Sequence, residues 1–68
     1  MNENKTVWIR GTKYRMYQVA MTGWVFVRGR YGTHPVAHIA NGEIIELEPV
    51  DALRYASNEE LVQAWLEA

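Results

Sequence analysis

Residues 23–49 read GWVFVRGRYGTHPVAHIANGEIIELEP, and they contain three short apolar runs, at 24–27, 36–40 and 44–47. Each run is β-branched or aromatic in character, and they are separated by Gly-rich punctuation at 29–32 and by Asn41-Gly42. Asn-Gly between two such runs is a strong hairpin signal, because both central residues of a type I′ turn need positive φ and this pair tolerates it. The stretch predicts an antiparallel β-meander. Along 24–28, Val25 and Val27 fall on one face while Trp24, Phe26 and Arg28 fall on the other. His34-Pro35 opens the next strand, where proline is acceptable at a start or edge. The last strand, 43–48, alternates with Ile45 and Leu47 inward and Glu46 and Glu48 outward.

The pattern continues toward the N-terminus. Residues 6–10 place Val7 and Ile9 on one face and Thr6, Trp8 and Arg10 on the other, until Gly11-Thr12 breaks the run. Residues 13–21 are the longest strand candidate, with Arg15, Tyr17, Val19 and Met21 on one face and Tyr14, Met16, Gln18 and Ala20 on the opposite one. Residues 1–5 are polar, lack a partner pattern and are expected to fray. Five strands of about five residues joined by short turns predict a mainly β domain with one C-terminal helix. Its meander is expected to form a small SH3-like barrel or a curled sheet.

Toward the C-terminus, residues 49–56 (PVDALRYA) suit a single helical or 3₁₀ turn with Val50 and Leu53 tucked inward. Ser57-Asn58-Glu59-Glu60 reads as a capping box, Ser57 being the N-cap and Glu60 the N3 residue, and the two glutamates favour the positive end of a helix. Leu61, Ala64, Trp65 and Ala68 follow at helical spacing, so a helix is expected over 58–67. Three turns are barely stable alone, and the Leu61/Trp65 stripe must dock on the sheet or on another subunit. The segment Pro49-Val50-Asp51-Ala52-Leu53-Arg54 is similar to the closing segment of the plasmid-borne type II dihydrofolate reductases, which implies the SH3-like barrel. The place of that family's active-site segment, Val-Gln-Ile-Tyr, reads Ile44-Ile45-Glu46-Leu47 here, so the resemblance supports the fold idea and not the activity. Val7-Trp8-Ile9-Arg10-Gly11, followed by further strands and a Trp-bearing helix, resembles the small bacterial cell-division activators, with extra strands.

Sixty-eight residues make one domain, and a chain of this size buries only about 60% of the surface its unfolded form exposes. With no cysteine, neither disulfides nor thiolate metal sites are available. Three Trp, four Tyr and one Phe are more than so small a core encloses, which places some rings at an interface and leads to the expectation of self-association. The first thirty residues lack the layout of a secretory signal, and no run approaches the ~20 apolar residues of a membrane span. A complete, soluble, cytoplasmic product with no membrane contact is expected. Net charge is −1, yet its distribution is uneven: residues 1–34 carry six basic side chains against Glu3, and residues 35–68 carry Arg54 against seven acidic ones. Either basic and acidic strands pair as neighbours, or the molecule is dipolar.

Catalytic material is sparse. The single serine, Ser57, is accounted for as a cap, and no Gly-x-Ser-x-Gly turn is present. His34 and His38 on one strand stand roughly 13 Å apart at about 3.3 Å per residue, too far to share an ion. Glu46 and Glu48 suit an exposed strand that resists edge pairing, and Arg28-Gly29-Arg30-Tyr31-Gly32 has no following helix to make it a phosphate loop. Neither a metal nor a cofactor is expected.

What recurs is arginine beside an aromatic ring: Trp8 with Arg10, Arg15 with Tyr14 and Tyr17, and Arg28, Arg30 and Tyr31 near Trp24 and Phe26. This is the composition of protein-interaction hot spots and of single-stranded nucleic-acid surfaces on small β domains. Trp8, Arg10, Arg15, Trp24, Arg28, Arg30 and Tyr31 are therefore the candidate partner-binding residues of a non-enzymatic binding module. A protein partner is expected, with the chain itself as one candidate in a homodimer. The alternative is a nucleic acid, which a pI near 6 makes the weaker reading.

Overall fold

Five strands and one helix make up the computed structural model, which describes residues 2–68: β1 (Glu3–Ile9), β2 (Thr12–Gln18), β3 (Trp24–Gly29), β4 (Gly32–Ala40), β5 (Glu43–Leu47) and α1 (Asn58–Glu67). The strands form one sheet in the order β1-β2-β3-β4-β5, every neighbouring pair antiparallel. The expected meander is present with its C-terminal helix packed on it, and its first and last strands remain edges. The sheet is open and does not close into a barrel. Within the described residues no helix is long and apolar enough to cross a membrane.

Turn chemistry sets the strand ends. Asn41 and Gly42 have φ of 54° and 76°, as a type I′ hairpin requires. Arg10 and Gly11 repeat the geometry at 48° and 80°, so the β1–β2 link is a second tight hairpin with an arginine at a left-handed position. It holds β1 and β2 in register along their whole length, Glu3 opposite Gln18 through Ile9 opposite Thr12. Glu3, Asn4 and Lys5, expected to fray, are thus paired strand residues, whereas Met1 lies outside the described residues.

β2 stops at Gln18, earlier than alternation to Met21 predicts. The Val19 carbonyl accepts from the Thr22 and Gly23 amides at 3.3 and 2.7 Å, which closes a turn and leaves Met21 exposed. Gly23, at φ 82°, runs so close to β4 that a Cβ there would stand 2.8 Å from the Ile39 carbonyl oxygen. Only glycine fits both conditions.

Two register shifts decide which residues face inward. The first, between Val25 and Phe26 opposite the Pro35–Ala37 region of β4, buries both Val36 and Ala37 and tolerates Pro35, which has no ladder donor. The second, between His38 and Ile39, aligns Ile44 with Ile39 and Leu47 with Ala37. Ile45 is left out of the inward row at 57% exposure, contrary to simple alternation, because one bulge residue inverts the phase of the strand beyond it.

The core lies between one sheet face and the helix. Val7, Met16, Val25, Val27, Val36, Ala37 and Ile39 of the sheet meet Leu61, Val62 and Trp65 of α1, joined by Ala56 from the segment between β5 and α1. The capping box is complete: the Glu60 amide donates to Ser57 Oγ at 3.1 Å and the Ser57 amide donates to Glu60 Oε1 at 3.0 Å. No basic residue occupies the last turn of α1. Lys5 of β1 takes that role, its Nζ donating to the Trp65 carbonyl at 3.0 Å and lying 4.5 Å from the centre of the Trp65 ring.

Between β5 and α1 the chain bends repeatedly without forming the expected helical turn. Val50 is exposed rather than tucked in, and Leu53 is half-buried against the core. Asn58 holds this strap. Fully buried, it accepts from the Ala52 amide at 2.9 Å and donates through Nδ2 to the Glu48 and Val50 carbonyls at 2.8 and 2.9 Å, while its own amide donates to Asp51 Oδ1 at 3.0 Å.

Candidate functional site

Because α1 covers one face, the residues of opposite parity form an uncovered surface. On β1 these are Asn4, Thr6 and Trp8; on β2, Lys13, Arg15 and Tyr17; on β3, Trp24, Phe26 and Arg28; and on β4 and β5, Pro35, His38, Glu46 and Glu43. Two aromatic pairs lie across it. Tyr17 stacks on Phe26 across β2 and β3, centroids 5.3 Å apart at 15°, and Trp24 stacks on His38 across β3 and β4, 5.8 Å apart at 17°. Such cross-strand stacks hold the rings in place without covering them.

Three cations, Lys13, Arg15 and Arg28, lie at the end of the face nearest the β1–β2 and β3–β4 turns. The β2–β3 ladder spans only Met16–Gln18 against Val25–Val27, so Arg15 and Arg28 stand just beyond it. A notch of about 160 Å³ opens there, bordered by Arg15, Arg28, Asn4, Thr6 and the Tyr17 ring. Arg15, Arg28, Lys13 and Arg30 form no ion pair among the described residues, where the two found are Lys5 with Glu3 and Arg10 with Glu60. A guanidinium pair free of carboxylates, with amide, hydroxyl and phenol groups around it, can accept a carboxylate or phosphate.

Of the seven candidate residues, Trp8, Arg15 and Arg28 share this end of the open face, and Arg30 and Tyr31 form the neighbouring β3–β4 hairpin tip, with Tyr31 89% exposed. Trp24 lies on the same face at the opposite end. Arg10 is turned away. Its guanidinium donates to the Glu60 carboxylate and to the Tyr55 carbonyl, joining the β1–β2 hairpin to the start of α1. The Arg10 hydrogen bond, followed by the one from the Ser57 backbone, lowers the Glu60 pKa to about 2, and Glu60 in turn raises that of Arg10.

Tyr17, Phe26, Lys13 and His38 also belong to the face, beyond the seven candidate residues. Tyr17 and Phe26 share parity with Arg15 and Arg28 in the sequence, but their opposition across strands depends on register. His34 and His38 are separated onto opposite faces by the β4 bulge: His34 packs beside Gly29 near Leu53, and His38 lies on Trp24. Among the described residues no group of three or more His, Asp or Glu is placed to hold a metal.

Apart from the Arg10–Glu60 pair, the basic and acidic halves of the chain form no ion pair with each other among the described residues. β1, β2 and β3 are consecutive in the sheet, while Glu43 and Glu46 stand on the far edge strand, β5, and the other acids of the second half on the strap and helix. The open face is therefore basic at one corner and acidic at the opposite one, with aromatic rings between. Comparison with known protein families, with curated proteins and with solved structures finds no match.

Proposed function

We propose that this chain is a non-enzymatic binding module that acts through protein contact on the uncovered face of its sheet. One observation carries the reading: two stacked aromatic pairs, Tyr17/Phe26 among them flanked by Arg15 and Arg28 without carboxylate partners, lie on the face that the helix leaves open. Fixed rings beside free guanidinium groups supply large contact area at low entropic cost. The mixed signs favour a protein, because a polyphosphate strand laid across the face meets Glu43 and Glu46 at its far corner. A cysteine-free chain suits the reducing cytoplasm, where we place it.

Single-stranded nucleic acid is the second reading. It is favoured by the juxtaposition of Arg15 and Arg28 with Tyr17 and Phe26, rings on which bases could stack. Titration with single-stranded oligonucleotides over a range of salt separates the two. Protein contact predicts no measurable binding at moderate salt, together with loss of one captured protein on Arg28→Ala or Phe26→Ala, each costing at least about 2 kcal/mol toward it. Micromolar oligonucleotide binding at physiological salt, with a log–log slope that flattens by about 0.7 for each arginine removed, would establish the second reading instead.

A further inference from the structure

We infer that the open face docks on the same face of a second copy of this chain, about a twofold axis that lies along the interface and crosses the aromatic patch. The inference rests on the proposed role of this face as a protein-contact surface and names its occupant.

Lys13, Arg15 and Arg28 mark one corner of the face, Glu43 and Glu46 on β5 the diagonally opposite corner, and the Tyr17/Phe26 and Trp24/His38 stacks lie between them. A twofold axis midway between the corners exchanges them, so each copy's basic corner meets the other's acidic corner and the rings meet rings. An isologous contact needs this self-complementarity, in which patch i faces patch j and j faces i. The notch of about 160 Å³ between Arg15 and Arg28 has room for a carboxylate from the second copy, which two guanidinium groups can grip through charge-assisted hydrogen bonds.

Area permits the contact. A standard interface takes about 800 Å² from each partner, roughly a sixth of the 4753 Å² that this chain exposes, and the molecule measures 28 × 22 × 22 Å. Edge pairing through β5 is the competing geometry, and it is disfavoured by the bulge at Ile45 and by Glu46, both of which disturb an added ladder. Association also gives a chain of 68 residues without disulfides additional buried apolar surface.

Charge exchange tests the inference. In sedimentation equilibrium from low to hundreds of micromolar, the unmodified chain should reach twice 7.9 kDa. Arg15→Glu/Arg28→Glu and Glu43→Lys/Glu46→Lys should each weaken self-association at least about 100-fold, since like charges then face each other. An equimolar mixture of the two variants should recover the doubled mass, because the heterodimer again opposes unlike charges. All four positions are exposed, and circular dichroism verifies that each variant is folded. If a variant fails to fold, the salt dependence of the unmodified dimer decides: weakening as salt rises supports the inference, and insensitivity overturns it. An unmodified chain monomeric at every concentration overturns the second copy as occupant and leaves the open face as a site for another protein. A dimer indifferent to both exchanges overturns the inference and removes the face from the contact.

Discussion

Asn58 shows how one side chain can organise a segment that has no regular structure of its own. Three hydrogen bonds to the strap's backbone, and a fourth from its own amide to Asp51, substitute for the ladder that residues 48–57 lack. Replacing it by alanine leaves the Ala52 amide and two carbonyls without that partner at a fully buried position, and is expected to cost about 2–4 kcal/mol in denaturant unfolding. Arg10 and Glu60 act at the same scale. The Glu60 pKa of about 2 lies below its ordinary 4.5, so the carboxylate binds fewer protons folded than unfolded. Its contribution is fully present above pH ~5 and is lost as pH falls through about 4.5 toward 2. Glu60→Gln is expected to flatten that limb of the stability profile, measured by thermal unfolding from neutral pH to pH 2. A limb of unchanged steepness would assign acid lability to other carboxylates. The pair also positions Arg10, a left-handed residue, so the hairpin and the helix cap reinforce each other.

Among the elements, α1 contributes most of what closes the core. Leu61, Val62 and Trp65 are all buried against β1 and β4. Domains of this length have a total stability of about 3–10 kcal/mol. Trp65→Ala, expected to cost about 3–5 kcal/mol through cavity formation, therefore consumes most of it. It also removes the ring beneath the Lys5 ammonium. Ser57→Ala, which deletes the cap alone, is expected to cost about 1 kcal/mol. The measurement is urea unfolding followed by circular dichroism, and the ordering of the two variants is its sharpest outcome. The sheet elements teach a different lesson. Bulges in β4 and β5 redirect Val36, Ile45 and His38, and the short β2–β3 ladder opens the notch between Arg15 and Arg28.

At the scale of the whole molecule, a two-faced sheet separates stability from contact. Val27 and Arg28 are adjacent on β3 and point to opposite sides, the first at 0% exposure and the second without an ion pair among the described residues. Val27→Ala is expected to destabilise the fold by about 2 kcal/mol, and Arg28→Ala to stay within ±0.5 kcal/mol. Equal costs in chemical denaturation would mean that the open face is part of the core.

Local patterns in the sequence determined the meander, the Asn41-Gly42 hairpin, the capping box and the helix over 58–67, because each depends on residues a few positions apart: a two-residue period, a positive-φ pair, a Ser-x-x-Glu spacing. The pairing of Val25 with Val27 against Trp24, Phe26 and Arg28 was legible for the same reason. Which of those faces would be covered was not, since it depends on where α1 docks, an outcome of packing between residues some forty positions apart. Arg10 carries the same signature beside Trp8 as Arg28 does beside Phe26, yet tertiary structure commits Arg10 to Glu60 and leaves Arg28 free. Open sheet rather than closed barrel, Ile45 outward and Val50 exposed were likewise decided by register shifts and strap contacts, for which a one-dimensional alternation has no term.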